Sequence, residues 1–195
     1  MENKESLEEL KREIGDCRRC DLWKTRTHLV FGDGNPNAKV MLIGEAPGFY
    51  EDKEGIPFVG AAGKFLNKLL ESVSLKREDI YIANILKCRP PKNRDPLPEE
   101  IEACSPFLDR QIDIIKPKII ICLGRFASKY ILDKFGFSDA DSISKIHGKI
   151  FVSNTPFGIL KIIPMYHPAS ALYRNELKEV LLSDWNKIKN LILKI

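Results

Sequence analysis

The sequence predicts an α/β fold with a central, mainly parallel four-stranded sheet covered on both faces by helices. Two observations predict it. Apolar runs of strand length alternate along the chain with stretches of helical period, which is the order of β-α units. Those runs are also continuously apolar rather than alternating, as strands buried on both faces require. A third observation concerns function: the unusual segments all leave strand ends, where ligands bind in such sheets.

Taken in order, Ser6 followed by Glu9 forms a capping box, and Leu7, Leu10 and Ile14 give a first helix its apolar stripe. Residues 39–43 read as a buried strand ending in Gly44-Glu45-Ala46-Pro47-Gly48. A helix follows from about Ala62, with Phe65, Leu66, Leu69, Leu70 and Val73 on one face. Residues 80–86 form the second strand and run into Lys87-Cys88-Arg89-Pro90-Pro91. Pro98 suits the first turn of a helix reaching about Ile115, with Glu99 and Glu100 favourable at its start. Pro106 is expected to kink or divide that helix. Residues 119–123 are the third strand, ended by Gly124, and another helix begins near Arg125. The fourth strand, residues 159–165, passes straight into Tyr166-His167-Pro168. The last helix carries Leu177, Leu181, Trp185, Ile188 and Ile192 at helical spacing. No repeat, linker or low-complexity tract interrupts the pattern, so residues 1–195 are expected to form one domain. Residues 44–48, 84–94 and 167–172 should then meet on one edge of the sheet.

Composition narrows the function classes. A chain of 195 residues with 44% apolar and 30% charged side chains can bury a core and is not a disordered type. The net charge of +4, from 31 basic and 27 acidic residues, permits nucleic-acid binding without arguing for it, so any basic footprint must be local. Met1-Glu2-Asn3-Lys4-Glu5 is polar, and the run Ile119-Ile120-Ile121-Cys122-Leu123 is far too short to span a bilayer. A cytoplasmic location with reduced thiols is expected, and the abundance of Lys and Ile hints at a thermophilic prokaryote.

Five cysteines in such a chain need a reason other than disulfides. Cys122 sits inside an apolar strand and reads as a small core hydrophobe. Cys17 and Cys20 form a C-x-x-C pair, and Cys88 and Cys104 follow singly. The pair follows a helix, whereas a thioredoxin-like site lies between strand and helix. Structural zinc more often shows two close pairs. One pair with two distant singles fits a four-cysteine iron–sulfur cluster best, with zinc and no metal left open. Between the two single cysteines lies a basic stretch: Lys87, Arg89, Lys92 and Arg94 fall within eight residues, beside Asp95. Such a run is often only a solvated loop. Here proline stiffening and a place at the ligand edge suit contacts to phosphates.

These segments together resemble family four uracil-DNA glycosylases. The resemblance rests on Gly44-Glu45-Ala46-Pro47-Gly48 with Glu51-Asp52, then Pro57-Phe58-Val59-Gly60 with Ala62-Gly63. It continues through Asn84-Ile85-Leu86-Lys87-Cys88-Arg89-Pro90-Pro91 and His167-Pro168-Ala169, in order over nearly the whole chain. It implies a three-layer α/β/α fold, a [4Fe–4S] cluster on Cys17, Cys20, Cys88 and Cys104, and excision of uracil from DNA. Such an enzyme flips the base from the stack and reads its Watson–Crick edge in a closed pocket.

In that setting Phe58 stacks on the pyrimidine, and Asn84 offers an acceptor and a donor matching uracil N3–H and O4. His167, fixed by the proline after it, donates to uracil O2 as charge builds on the departing base. Backbone N–H groups of Gly44, Glu45 and Ala46 complete the uracil site. Without the neighbouring motifs, Phe58 would read as core and Asn84 as a turn residue. Glycosylases of the first family carry a water-positioning aspartate within a glutamine-aspartate-proline motif; the corresponding place here is Ala46. Glu45, Glu51, Asn93 or the substrate's own phosphates must then orient the water, with Glu45 and Asn93 favoured. Arg89, Lys92 and Arg94 are expected on the DNA backbone, and Leu172, with Tyr173 as competitor, as the wedge in the gap left by the base. A relative that traps DNA covalently through a histidine in a basic loop is not matched, since residues 89–95 contain none. The expected partner is uracil-containing DNA, single- or double-stranded, met by a monomer. A polymerase-clamp partner, an electron-transfer role for the cluster and a zinc-stabilised binding module remain open at this point.

Overall fold

The computed structural model describes residues 2–195. Each continuous apolar run becomes a strand, and six strands form one sheet: β1 (Asp33–Gly34), β2 (Val40–Gly44), β3 (Tyr81–Asn84), β4 (Ile119–Leu123), β5 (Phe151–Thr155) and β6 (Gly158–Met165). Their spatial order is β1-β3-β2-β4-β6-β5. The four expected strands are parallel neighbours at the centre, pairing Leu42 with Ile82 and Ile121, and Ile121 with Ile163. The expected count of four is corrected to six, because both edges carry an antiparallel strand. β1 has two residues and no apolar run, and β5 alternates between exposed and half-buried positions, so neither has the signature of a buried strand.

Helices cover both faces: α1 (Glu2–Ile14), α2 (Phe49–Glu54), α3 (Ala61–Ser72), α4 (Pro98–Ile115), α5 (Arg125–Lys134), α6 (Ile143–Ile146), α7 (Ser170–Tyr173) and α8 (Asn175–Ile192). Successive side chains of a strand point to opposite faces, so each strand feeds two cores. Met41, Ile43, Ile120 and Cys122 pack with Leu10 of α1, Ile112 of α4 and Ile131 of α5. Leu42, Ile82 and Ile121 pack with Leu69 of α3 and with Trp185 and Ile188 of α8.

Three local expectations change. α1 begins at Glu2, so Ser6 lies inside it rather than at its cap; Glu2 and Glu5 favour the positive end of the helix and extend it. α4 runs unbroken through Pro106, because Cys104, Phe107, Leu108 and Ile112 hold both halves against the sheet. Packing of a buried face outweighs the one lost hydrogen bond. Strand β3 stops at Asn84 rather than residue 86, yet Ile85 and Leu86 still donate to the carbonyls of Gly44 and Glu45 at 3.0 Å each. This keeps the base of the basic segment laced to the turn beside it. Among the described residues no helix is long and apolar enough to cross a membrane.

Candidate active site

Beyond the carboxyl ends of the central strands opens a cavity of about 440 Å³, lined by Glu45, Ala46, Phe58, Asn84, Asn93 and His167 among others. That volume suits one small ring ligand. The three segments expected to converge do so. Gly44 lies against two of the lining side chains, and only glycine fits there: a Cβ would stand 2.3 Å from Asn84 Oδ1 and 2.8 Å from the Phe58 ring.

Phe58 is locked from several sides. Its backbone has φ +55, in the left-handed region that costs an ordinary residue energy. Arg77 holds it there, donating to the carbonyls of Phe58 at 3.0 Å and Pro57 at 2.7 Å. Gly63 of α3 lets that backbone come close, since a Cβ would meet the Phe58 carbonyl oxygen at 1.8 Å. The next two amides, Val59 and Gly60, both donate to Glu51 Oε1 at 2.9 Å. Glu51 thus organises the turn that aims Phe58. The Phe58 ring stacks towards His167, with centroids 5.5 Å apart and planes 27° apart.

Asn84 is buried, and its side-chain Oδ1 has no hydrogen-bond partner. A buried acceptor left unpaired costs about 1–3 kcal/mol, so its retention calls for an explanation. Its backbone carbonyl accepts from Lys87 Nζ at 2.9 Å. Lys87 was expected in the exposed basic footprint; it is instead buried under the pocket, donating also to Gln111 Oε1 at 2.6 Å. Gln111 Nε2 in turn donates to the Phe31 carbonyl and lies 3.2 Å from the Tyr81 hydroxyl. The burial of Lys87 pushes its pKa down to about 8.

His167 enters from the end of β6. Its Nδ1 accepts from the Ala169 N–H at 3.1 Å, which in the neutral ring leaves the proton on Nε2. Burial pushes the His167 pKa down to about 4, against a smaller opposing pull from Glu51. At neutral pH the ring is an uncharged Nε2–H donor. Glu45 behaves in the opposite sense: burial first, then the nearby Asp95 charge, push its pKa up to about 7, opposed by Arg125. Asn93 follows Lys92 in a tight loop where both have left-handed φ, 54° and 55°. Its Oδ1 accepts from Arg89 Nε at 2.7 Å, fixing the amide beside the cavity.

The remaining basic residues differ in freedom. Arg94 makes two hydrogen bonds to Glu100, at 2.9 and 2.6 Å, so its charge is matched by a buried carboxylate. Lys92 is exposed, and the Arg89 guanidinium lies over the Phe49 ring, 5.2 Å from its centroid. Leu172 and Tyr173 of α7 line the mouth of the cavity and are exposed.

Cys17, Cys20, Cys88 and Cys104 gather on the flank formed by α1 and α4, packed into one cluster of side chains. They are close enough that the Cys17 and Cys20 sulfurs raise the pKa of Cys88, and Cys88 and Cys20 that of Cys104, after burial as the main cause. Polar groups point at the sulfurs: the Lys87 N–H donates to Cys104 Sγ and Arg26 Nη1 to Cys88 Sγ, each at 3.2 Å. Donors aimed at sulfur favour thiolate, the ligand form. Among the described residues no group of three or more His, Cys, Asp or Glu side chains is arranged to hold a metal ion. The four-thiol set with its N–H···S bonds has the donor chemistry of a cluster site. Cys122 is buried in β4, as expected for a core residue.

Sequence reasoning missed Arg77, Gln111, Phe49 and Tyr50. Nothing in the spacing marks Arg77 or Gln111, which act over 20 and 24 residues of separation. Phe49-Tyr50 had a signal, two aromatic residues directly after a glycine turn.

The model of the uracil DNA glycosylase superfamily matches residues 31–189 of the chain. A type-4 uracil-DNA glycosylase of Sulfurisphaera tokodaii is 50% identical over 190 residues, covering 97% of this chain and 86% of the relative. One from Archaeoglobus fulgidus is 50% identical over 187 residues, covering 96% and 94%. A third, from Thermotoga maritima, is 42% identical over 197 residues, covering 100% and 99%.

Proposed function

The chain belongs to the uracil DNA glycosylase superfamily, among type-4 relatives, and from that premise we propose that the cavity at the strand ends receives the uracil it excises from DNA. The reaction is hydrolysis of the N-glycosidic bond of deoxyuridine, releasing free uracil and leaving an abasic site. The single observation that carries the assignment of the pocket is the unpaired, buried Oδ1 of Asn84 at its floor. Uracil N3–H supplies the donor this oxygen lacks, while Asn84 Nδ2 donates to O4. Cytosine offers an acceptor at N3 and an amine at C4, so it opposes both bonds.

Phe58 stacks on the base, and the Gly44, Glu45 and Ala46 backbone borders it. As the C1′–N1 bond breaks, its electron pair goes to the base, and the negative charge gathering at O2 meets the neutral His167 Nε2–H. A donor already held in place needs no reorganisation at that moment. Glu45, deprotonated above about pH 7, and the fixed Asn93 amide orient the water; its oxygen bonds to C1′ while one proton passes to the Glu45 carboxylate, and the departing uracil anion takes a proton from solvent. Arg89, Lys92 and Arg94 face the DNA backbone, with Lys92 and Arg89 carrying the free charge and Arg94 mainly bracing the loop through Glu100. Leu172 fills the gap left by the flipped base.

Cys17, Cys20, Cys88 and Cys104 would hold a [4Fe–4S] cluster. When bound, the cluster supplies a covalent tie between the segment after α1 and the two ends of the 88–104 excursion, with no electron transfer required by the hydrolysis. Residues 1–195 act as one catalytic unit around the single sheet. The test is direct: oligonucleotides carrying one uracil, cytosine or thymine are incubated with the protein and abasic sites are cleaved with alkali. Strand cleavage at uracil alone is expected; an intact uracil strand would overturn the reading.

A further inference from the structure

Most exposed apolar side chains on a soluble protein are scattered and need no explanation; a cluster beside a ligand cavity does. Among the described residues, the large aromatic side chains with high exposure are Phe49 at 52%, Tyr50 at 56% and Tyr173 at 86%. All three border the mouth of the same cavity, together with Leu172. None belongs to either core. Phe49 and Tyr50 sit on the first turn of α2, set edge to face with centroids 5.3 Å apart. The Arg89 guanidinium over Phe49 adds a cation to the same rim. Tyr50 is seated against the Gly60 turn, which Glu51 fixes, so the platform is held by the same carboxylate that shapes the pocket.

Aromatic faces interleaved with a cation are what a groove for unpaired nucleic acid uses, because every base has a π-face to stack. A duplex presents little to such a rim. When one base leaves a duplex its neighbours stay paired and stacked, and a single wedge such as Leu172 answers the gap. In a single strand the neighbours of the uracil have free faces. We propose that Phe49 and Tyr50 form a stacking platform for the bases adjoining the uracil in unpaired DNA, and that the chain thereby favours single-stranded substrates. This rests on the cavity being the uracil site.

The test compares the native protein with a Phe49→Ala/Tyr50→Ala double variant. Affinity is read by fluorescence anisotropy on a uracil-free thymine strand of about 12 nucleotides and on the matching duplex. Excision from uracil-containing versions of both is measured alongside. The double variant should lose about tenfold in single-strand affinity per stacked base, with a much smaller loss on the duplex. Its preference for excising uracil from single strands should fall in proportion. Phe49→Trp, which keeps a stacking ring, should retain the native preference, separating stacking from any effect on the fold. Equal losses on both DNA forms, or unchanged single-strand affinity, would overturn the proposal. Native protein that binds the thymine strand through this rim but excises no uracil would instead refute the reading of the pocket.

Discussion

At the scale of single residues, the proposed mechanism assigns base choice and bond cleavage to different side chains. Asn84→Asp exchanges the amide donor for a second acceptor when ionised, setting it against uracil O4. The variant should lose uracil excision and gain weak activity on cytosine, whose exocyclic amine is a donor; normal uracil excision by it would remove Asn84 as the reader of the base. The pH profile isolates Glu45. Its pKa is pushed up to about 7, so the carboxylate is lost as pH falls through that value. The rate should therefore rise with pH through about 7 and level above it. His167, pushed down to about 4, stays neutral over this range and adds no second limb until far more acid conditions. Glu45→Gln should abolish the limb near 7, and a profile unchanged in that variant would assign the limb elsewhere. The proposed roles were legible in part. Residue types and their order marked Asn84, Phe58 and His167, whereas the unusual pKa of Glu45 depends on Asp95 and on burial, which no local spacing reveals.

At the scale of elements, continuous apolar runs located the four parallel strands and hence the edge where the cavity opens. The antiparallel edge strands escaped because partial exposure gives them no apolar run. The basic stretch shows the same limit: charge counts placed Lys87 with its neighbours, but the turn after β3 carries it inward, onto the Asn84 carbonyl and Gln111. This network braces Asn84 from behind. Lys87→Met would leave the Asn84 carbonyl and Gln111 Oε1 without their donor, at a cost of about 1–3 kcal/mol for each group left unpaired. A lowered thermal midpoint and weaker binding of free uracil should appear together; a variant with native uracil affinity would show that Asn84 needs no such brace.

Across the whole molecule, two cores share one sheet, and the site sits where the loops of one end meet the cysteine-bearing flank. That Cys17, Cys20, Cys88 and Cys104 stand apart from Cys122 was legible from their pattern, whereas spacing alone left a cluster, zinc and no metal open. What spacing could not give is the support around them, the Lys87 amide and the Arg26 guanidinium on the sulfurs. Cys88→Ala should remove visible absorbance near 400 nm and lower the thermal midpoint, while Cys122→Ala keeps the colour. Colour surviving in the first variant and vanishing in the second would reverse the ligand assignment.

In the proposed mechanism a neutral histidine, fixed by the loop after β6, stabilises the uracil anion as it leaves. Single-turnover excision by His167→Ala, with DNA affinity measured separately, tests it most directly. An interaction that strengthens only in the transition state should, when removed, slow the chemical step by about 10²-fold or more while changing affinity much less. Cleavage at the native rate, or a loss confined to binding, would contradict the account.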